Sequence, residues 1–554
     1  MYSNKRNVLV LLSLLRAHDV RDVVLSPGSR NLPLARSVCG DPHFTCHTVV
    51  DERSAAFYAI GIAQASSRAV VLCCTSGTAV LNYAPAIAEA YYQRLPLLVV
   101  TADRPLSWIG QMTGQTLPQH DVFGRFVRKA VQLPEVSSDD DDRYCNRLVN
   151  EAILESLRHG CGPVHINIPV SEPLFGFTAR ELPKVRKITL SAPQPSFDNL
   201  YHARLAKHSK VMIIAGQRAS LDASALSLLT DRHGCVALGE HISGLPGSCH
   251  ISNFDAVLGS LGEEERPAFA PSLLITMGGH VVSKRIRRFL RANPPAEHWH
   301  VSPSGEITDT YQCLTEVIES EGCAFVDFLS RREPSNSDAG KPYSALWTQR
   351  SAAIPCPGDE YSDLAAAGAL MRAMPHNANL QLANSSAVRL AQLFALSGKQ
   401  KVYSNRGTGG IDGCLSTATG QAAVSEGLLT FLLIGDLAFF YDMNILWSGP
   451  LNPRLRIMVN NNGGGGIFET LEGLDAGDLA VSGVSASHTL EIGDMARSLG
   501  MLYLPVSKGE DLDRLMPVFT SEKGDRPVLM EVFTSKEKNS VILKNYFASL
   551  SRLS

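Results

Sequence analysis

The strongest constraint on the fold is an alternation along the chain, in which short runs rich in Val, Ile and Leu precede longer segments with helical periodicity. Such alternation is typical of parallel sheets flanked by helices, because strands buried on both faces are apolar throughout. Ligands of open parallel sheets bind beyond the carboxyl ends of the strands. We therefore predict an α/β protein with its functional residues in strand-end loops. The runs are residues 22–26, 69–74, 97–101, 164–168, 210–215, 273–277, 298–301, 428–434, 456–459 and 528–532.

Two polar breaks divide the chain. The first, LSAPQPSFDN, covers residues 190–199, and the second, SNSDAGK, covers residues 335–341. A chain of 554 residues is long enough for three or more domains. We predict three, comprising residues 1–190, 191–345 and 346–554, each with a parallel sheet.

Charge and composition narrow the class of partner. The net charge is -3, from 51 basic and 54 acidic residues, so the chain has no general attraction to nucleic acid or anionic lipid. The apolar N-terminal stretch is interrupted by charges from Arg16 onward, and we interpret it as an amphipathic helix. We expect no membrane span, because no run of about 18 apolar residues occurs. The twelve cysteines contain no C-x-x-C pair, which favours reduced, buried thiols in a cytoplasmic protein.

The segment GDLAFFYDMNILWSGPLNPRLRIMVNNNGGGGIF combines two strand ends. One strand ends at Gly435 and Asp436, and a second ends 26 residues after the aspartate at Asn462, before four glycines. Adjacent carboxylate and amide oxygens are suitable ligands for Mg²⁺, while backbone N–H groups bind a diphosphate. The alternative interpretation is a glycine-rich turn that binds no ligand.

This segment is similar to the diphosphate-binding motif of thiamine-diphosphate enzymes. It departs from the motif in reading GDLA rather than GDG, and its three consecutive asparagines leave the register open. We expect Mg²⁺, or Mn²⁺, to be bound by Asp436, Asn462 and the Gly464 carbonyl. Asn461 with Gly463 is the alternative.

The acidic pair Asp51-Glu52 stands at the head of a predicted helix. Glu52 matches the family's carboxylate that contacts N1′ of the aminopyrimidine. Taken alone, it could equally be an ordinary helix-start carboxylate that the helix dipole stabilises.

Arginines recur in loops with small residues, and several of these loops lie at predicted strand ends. A single such arginine is more often a surface ion pair, but several together favour a substrate with several carboxylates. The loops are SPGSR at 26–30, TADRP at 101–105, SKR at 283–285, NSSAVR at 384–389 and SNRG at 404–407.

These motifs, together with DER, TSGTA, Gln115, SNRG-x-x-GIDG and NNGGGGIF, occur in one order that resembles the 2-succinyl-5-enolpyruvyl-6-hydroxy-3-cyclohexene-1-carboxylate synthase family. The resemblance implies a thiamine-diphosphate-binding fold and a transferase of menaquinone biosynthesis. Such an enzyme decarboxylates 2-oxoglutarate and adds the succinyl unit to isochorismate. It also implies a homodimer or tetramer with active sites at the subunit interface, and an N-terminal pyrimidine-binding, a middle and a C-terminal diphosphate-binding domain.

The resemblance assigns roles residue by residue. The catalytic residues are Glu52 and Gln115. The substrate-binding residues are Ser29, Arg30, Arg104, Lys284, Arg285, Ser385, Arg389, Arg406, Ile467 and Phe468. The cofactor-binding residues are Glu52, Ser76, Gly77, Thr78, Ile411, Gly435, Asp436, Leu437, Ala438 and Asn462. His120 follows Gln115 closely and is a possible helper, although a lone histidine in a polar loop is more often solvated.

Three alternatives remain. The nearest is another thiamine-diphosphate enzyme, such as an acetolactate-synthase-like ligase or a 2-oxo acid decarboxylase, but pyruvate needs one cationic partner rather than several. A non-catalytic relative used as a sensor would not need both Glu52 and the metal ligands. A dinucleotide-dependent dehydrogenase is disfavoured, because no G-x-G-x-x-G opens a helix after a strand.

Overall fold

The structure is a computed structural model that describes residues 1–191, 195–219, 221–245, 249–332, 339–449, 451–466 and 484–553. The chain divides by its internal contacts into two units. The first comprises Met1–Ala192, Gly407–Thr430 and Ala438–Leu455, and the second comprises Pro193–Arg406, Phe431–Leu437 and Arg456–Ser554. None of the helices in the described ranges is long and apolar enough to cross a bilayer.

The first unit contains a six-stranded parallel sheet in the order β2-β1-β3-β4-β6-β5. Its central strands are fully buried, as their continuous apolar runs predict. The strands are β1 (Asp22–Leu25), β2 (Thr45–Thr48), β3 (Val70–Cys74), β4 (Leu97–Asp103), β5 (Ala130–Gln132) and β6 (Val164–Pro169).

Helices cover this sheet, and their ends carry recognisable caps. Asp51 caps the helix Glu52–Ser66, and Ser138 with Asp141 forms a capping box on the helix Asp139–Leu157. The helices of the first unit are Arg6–Ala17, Leu32–Cys39, Glu52–Ser66, Thr78–Asn82, Ala84–Gln93, Asp139–Leu157, Cys414–Val424 and Ile445–Ser448.

The second unit contains two parallel sheets. The five-stranded sheet has the order β11-β10-β9-β7-β8, and the six-stranded sheet, whose β14 and β15 each begin with a residue of the first unit, has the order β13-β12-β14-β15-β17-β16. The strands of the five-stranded sheet are β7 (Val211–Ala215), β8 (Val236–Gly239), β9 (Leu273–Met277), β10 (Glu297–Val301) and β11 (Glu316–Ile318). Those of the six-stranded sheet are β12 (Asn379–Leu382), β13 (Lys401–Ser404), β14 (Thr430–Gly435), β15 (Leu455–Asn461), β16 (Leu502–Val506) and β17 (Val528–Phe533).

Alternate residues of β7 enter two different apolar clusters, so the five-stranded sheet is buried on both faces. The helices of this unit are Leu200–Leu205, Ala223–His233, Phe254–Gly259, Arg266–Phe269, Lys284–Ala292, Gly322–Ser330, Lys341–Ala353, Asp363–Ala373, Ser386–Ala391, Gly493–Ser498, Gly509–Phe519 and Lys536–Leu550. The helix Asp436–Asp442 begins in the second unit and ends in the first.

The predicted α/β class with helix-flanked parallel sheets is confirmed. The N-terminal helix is present at Arg6–Ala17, but nine consecutive residues of it are buried, so it is less amphipathic than the sequence predicts. It packs on the helix Asp139–Leu157. The twelve cysteines are free, but only half of them are buried, and Cys39, Cys323 and Cys356 are exposed.

Candidate functional site

Glu52 is the first residue of the helix Glu52–Ser66 in the first unit. The preceding Asp51 fixes this end, because its carboxylate accepts from the Ser54 N–H at 2.8 Å and from the Asn444 amide at 2.9 Å. Glu52 is half-buried, and burial followed by the nearby Asp51 raises the pKa of its carboxyl, while a hydrogen bond from its own backbone lowers it. A carboxyl with a raised pKa is suited to sharing a proton with a ring nitrogen.

The helix that carries Glu52 packs unusually closely on the helix Cys414–Val424 of the same unit. A Cβ added at Gly61 would lie 2.0 Å from the Thr417 carbonyl oxygen, and one added at Gly420 would lie 2.1 Å from that of Tyr58. Glycine is therefore required where the two backbones meet. This contact fixes the position of the helix at whose start Glu52 stands.

Glu89 is a buried carboxylate that the sequence analysis did not identify. It accepts from the Gly407 N–H at 2.7 Å, from the Thr408 N–H at 2.6 Å and from the Thr408 hydroxyl at 2.7 Å. Gln93 donates to it at 2.6 Å. Glu89 thus holds the loop that runs from Arg406 to Ile411.

Ser76, Arg104 and Gln115 are brought together in the first unit. Arg104 Nη1 donates to Ser76 Oγ at 2.5 Å and to the Gln115 carbonyl at 2.7 Å. Gln115 has a φ of +57° and Gly77 a φ of +89°. Gly77 also donates to the buried Gln119 side chain at 2.9 Å, a contact that the sequence did not indicate. The TSGTA and TADRP loops are therefore one hydrogen-bonded assembly.

Arg30 is buried beside this assembly, whereas Ser29 and Thr78 are exposed. The Arg30 guanidinium donates to the Val170 carbonyl at 2.9 Å and to Glu172 at 3.3 Å. Burial, and next the charge of Arg30, lower the pKa of Arg104. Two arginines that repel each other in one place favour an anionic ligand.

His120 does not join this group. It is half-exposed, and its Nδ1 lies 3.0 Å from Asp121, which agrees with the solvated alternative.

In the second unit Asp436 meets the glycine-rich turn after β15. Its Oδ2 accepts from three consecutive backbone N–H groups, those of Asn462 at 3.1 Å, Gly463 at 2.8 Å and Gly464 at 3.0 Å. Gly463 has a φ of +78° and Gly464 a φ of +145°. Three converging N–H groups form a concave site for an anion.

The two candidate asparagines differ in their surroundings. Asn461 donates to the Leu490 carbonyl at 2.9 Å and to Glu531 at 2.7 Å, so it belongs to the local core. Asn462 donates to Asp363 at 2.8 Å, and its Oδ1 is buried with no hydrogen-bond donor in the described part of the chain. A buried oxygen without a donor fits a metal ligand.

Two carbonyl groups of the turn accept hydrogen bonds from backbone N–H groups. The Gly464 carbonyl accepts from the Gly466 N–H and the Gly463 carbonyl from the His488 N–H, each at 3.0 Å. Among the described residues, no group of three His, Cys, Asp or Glu side chains could bind a metal. A metal at Asp436 would therefore depend on amide and carbonyl oxygens, which are ligands of hard cations.

Arg389 and Arg406 lie close together in the second unit. Arg406 donates to Asn384 Oδ1 at 2.8 Å, and Arg389 donates to the Ser385 carbonyl at 2.5 Å. Ser385 has a φ of +69°, which is uncommon for a residue other than glycine. Burial, followed by the charge of Arg406, lowers the pKa of Arg389. This is a second arginine pair.

Lys284 and Arg285 begin the helix Lys284–Ala292. Lys284 is exposed, whereas Arg285 donates to Asp255 at 2.5 Å and its guanidinium carbon lies 3.9 Å from the centre of the Phe547 ring. Arg285 is therefore held in place by an ion pair and an aromatic face.

The described site residues lie in both units. The first unit contains Ser29, Arg30, Glu52, Ser76, Gly77, Thr78, Arg104, Gln115, Ile411 and Ala438, and the second contains Lys284, Arg285, Ser385, Arg389, Arg406, Gly435, Asp436, Leu437 and Asn462. Ile467 and Phe468 lie outside the described residues. A cavity of about 780 Å³ opens in the second unit, lined by Asn253, Lys341, Gln392 and others. Among the described residues, none of the predicted site residues lines it.

Comparisons with known proteins identify the family. Residues 8–123 match the model "Thiamine pyrophosphate enzyme, N-terminal TPP binding domain", and residues 184–382 match "Middle domain of thiamine pyrophosphate". A solved thiamine diphosphate-dependent 4-hydroxybenzoylformate decarboxylase of Rhodococcus jostii shares the fold, with a TM-score of 0.72 at 18% identity over 96% of this chain and 99% of that one.

Curated relatives are similar over nearly their whole length. A 2-succinyl-5-enolpyruvyl-6-hydroxy-3-cyclohexene-1-carboxylate synthase of Bacteroides thetaiotaomicron is 48% identical over 95% of this chain and 96% of its own. The synthases of Phocaeicola vulgatus and Porphyromonas gingivalis are 45% and 38% identical, over 94% and 95% of this chain and 94% of each relative. The chain thus belongs to the 2-succinyl-5-enolpyruvyl-6-hydroxy-3-cyclohexene-1-carboxylate synthase family of thiamine-diphosphate-dependent enzymes.

Proposed function

We propose that this enzyme decarboxylates 2-oxoglutarate and joins the succinyl unit to isochorismate, releasing CO₂ and forming 2-succinyl-5-enolpyruvyl-6-hydroxy-3-cyclohexene-1-carboxylate. The observation that carries the proposal is the 45–48% identity, over 94–95% of this chain, to curated synthases named for that product. The arginine pairs Arg30 with Arg104 and Arg389 with Arg406 agree with it. Each of the two substrates carries two carboxylates, and planar guanidinium groups bind carboxylates in a bidentate manner.

Thiamine diphosphate, when bound, supplies the electron sink for decarboxylation and carbon–carbon bond formation. Glu52 would hold a proton at the N1′ atom of its ring, a role that suits a carboxyl whose pKa burial has raised. The remaining cofactor contacts would come from four segments, comprising Ser76, Gly77 and Thr78; Ile411; Gly435, Asp436, Leu437 and Ala438; and Asn462.

The same region would bind Mg²⁺, or Mn²⁺, through Asp436, Asn462 Oδ1 and the Gly464 carbonyl. Support for Asn462 over Asn461 comes from its buried Oδ1, which lacks a donor among the described residues, whereas the Asn461 amide is engaged by Glu531 and Leu490. The N–H groups of the turn, which now contact Asp436, would then be available to diphosphate oxygens.

The arginines would divide between the two substrates. Arg389 and Arg406, with Ser385, would bind the 2-oxoglutarate carboxylate, and Gln115 would lie beside both cofactor and substrate. Ile467 and Phe468 would form an apolar wall. The residues proposed to surround isochorismate are Ser29, Arg30, Arg104, Lys284 and Arg285.

We infer that the active assembly is a homodimer or tetramer. Four apolar side chains near the start of the helix Glu52–Ser66 are exposed in the first unit: Val50 at 46%, Tyr441 at 52%, Met443 at 40% and Trp447 at 59%. Exposed apolar side chains in such numbers are typical of an interface. Trp447→Glu should shift the protein toward monomers in size-exclusion chromatography with light scattering.

We also propose the bounds of the domains and the cellular location. The three domains are residues 1–190, 191–345 and 346–554, supported by the presence of one parallel sheet in each range. A cytoplasmic location is supported by the free, partly exposed cysteines, which oxidising compartments disfavour.

The test of substrate class is CO₂ release by the purified protein with thiamine diphosphate and Mg²⁺. We expect release from 2-oxoglutarate to exceed that from pyruvate by at least about tenfold, because discrimination between substrates follows from the second carboxylate. Preferential use of pyruvate would instead favour an acetolactate-synthase-like activity.

A further inference from the structure

Glu240 is a buried carboxylate that follows directly after β8, at the carboxyl edge of the five-stranded sheet. It is 5% exposed, and its two oxygens accept backbone N–H groups from Val282 at 2.7 Å and from Ser283 at 2.8 Å. Ser283 is the N-cap of the helix that carries Lys284 and Arg285. Glu240 therefore ties the end of β8 to the start of that helix.

The start of this helix is further linked to Asp255. The Ser283 hydroxyl accepts from the Ile286 N–H at 3.2 Å and donates to one oxygen of Asp255, while Arg285 donates to the other at 2.5 Å. The carboxylates of Glu240 and Asp255 thus fix the backbone at the start of this helix and the side chain of Arg285, its second residue.

Glu240 also acts on the second arginine pair. Burial raises the pKa of Glu240 to about 7, while its two backbone hydrogen bonds and the charge of Arg406 lower it. Burial and the charge of Arg406 lower the pKa of Arg389, whereas the charges of Glu240 and, next, Asp255 raise it. Both arginines are therefore within electrostatic reach of this one buried carboxylate.

The hydrogen bonds of Glu240 explain why it would not compete with a substrate. Its oxygens bind backbone N–H groups, while Arg389 donates to the Ser385 carbonyl and Arg406 donates to Asn384. In its ionised form, which predominates above its pKa of about 7, Glu240 offsets the repulsion between the two guanidinium groups. A site whose charges are already in position avoids an ordering cost when the substrate binds.

We propose that Glu240 is a positioning residue for both sets of substrate-binding cations, holding the Lys284–Arg285 helix start and keeping Arg389 and Arg406 together in the absence of substrate. This inference rests on the proposed function, because it takes those four side chains to bind the two dicarboxylates. Glu240 itself would touch neither substrate nor cofactor.

The test is Glu240→Gln in the full-length enzyme with thiamine diphosphate and Mg²⁺. We expect KM to rise about tenfold for both 2-oxoglutarate and isochorismate, with kcat within about threefold of the wild type. A merely structural role would lower the melting temperature and the active fraction, and hence kcat, while leaving KM unchanged.

The matched control is Glu265→Gln. The Glu265 carboxylate also accepts a backbone N–H, that of Gly262 at 3.0 Å, and it also pairs with an arginine, Arg350. The substitution should leave both KM values unchanged. If Glu240→Gln does not fold, Glu240→Asp decides by the same KM criterion, since it keeps the charge but withdraws it from the two N–H groups.

KM values within about twofold of the wild type for both substrates in a folded Glu240 variant would overturn the inference. Failure of the proposed function is distinguishable, because it would appear in the wild type as no turnover of 2-oxoglutarate.

Discussion

Gly61→Ala should destabilise the first unit strongly, because it places a methyl group between two helix backbones. The added Cβ would lie 2.0 Å from the Thr417 carbonyl oxygen and 2.9 Å from the Gln421 nitrogen. Ordinary contacts of this kind are at least about 3.4 Å, so the helices must separate by more than about 1 Å. Both opposing atoms belong to the backbone and cannot rotate away.

The cost has two parts. Overpacking costs about 1–3 kcal/mol. Separation would also strain the buried hydrogen bond from Gln421 to Gln64, now 2.7 Å long, and leaving those groups unsatisfied costs about 1–3 kcal/mol more. The total is about 2–6 kcal/mol, and at about 2–4 °C per kcal/mol for a unit of this size the melting temperature should fall by about 4–24 °C.

The assay is calorimetry of the wild type, Gly61→Ala and the control Gly358→Ala, at which an added Cβ meets nothing within 4 Å. The control should change the melting temperature by no more than about 2 °C, since surface substitutions are usually within about 0.5 kcal/mol. A Gly61→Ala protein that melts with the wild type would refute the close packing of these helices.

Four further outcomes follow from the same structure. Glu52→Gln should lower turnover at least about 100-fold while thiamine diphosphate still binds, and unchanged turnover would exclude its proton role. Asn462→Ala should raise the Mg²⁺ concentration for half-maximal activity more than Asn461→Ala does, and the reverse order in a metal titration would move the register by one. Glu89→Gln should cost about 2–4 kcal/mol in denaturant unfolding, because the Gly407 and Thr408 donors lose acceptors, whereas the surface variant Glu151→Gln should be neutral. Burial raises the pKa of Asp442 to about 7, so its contribution to stability is present below about pH 4 and is lost as pH rises to about 7. Asp442→Asn should therefore flatten the dependence of the unfolding free energy on pH between about pH 5 and 8, and an unaltered dependence would contradict this role.

Sequence reasoning recovered the buried strands well, because burial on both faces leaves an uninterrupted apolar run. It missed short or edge strands whose residues are partly exposed or polar. β2, with the sequence TCHT, is half-exposed along its length, and β12 contains Asn379 and Gln381. These segments are strands because they are hydrogen-bonded to a neighbouring strand, which their own composition does not indicate.

The residues of the candidate site likewise include some that the sequence indicates and some that it does not. Motif residues such as Glu52 and Asp436 could be proposed because they match the family's sequence pattern. Glu89, Gln119 and Glu240 could not, since each acts through partners far away in the chain, and a buried glutamate in a helix or loop resembles a surface one. Glu89, for example, contacts Gly407 across 318 positions.

The register of the proposed metal site depends on contacts that the sequence does not show. Three consecutive asparagines are equivalent as letters, but Asn461 lies in β15 with its amide engaged and Asn462 begins the turn. Sequence reasoning also grouped Lys284 and Arg285 without indicating that Asp255 pairs with one of them.

The most direct test of the account is product formation by the purified protein from 2-oxoglutarate and isochorismate, with thiamine diphosphate and Mg²⁺, omitting one component at a time. We expect isochorismate to be lost, and isochorismate plus the succinyl unit to appear in mass spectrometry, only when all four components are present. Isochorismate that persists in the complete mixture, or that is consumed equally without 2-oxoglutarate, would contradict it.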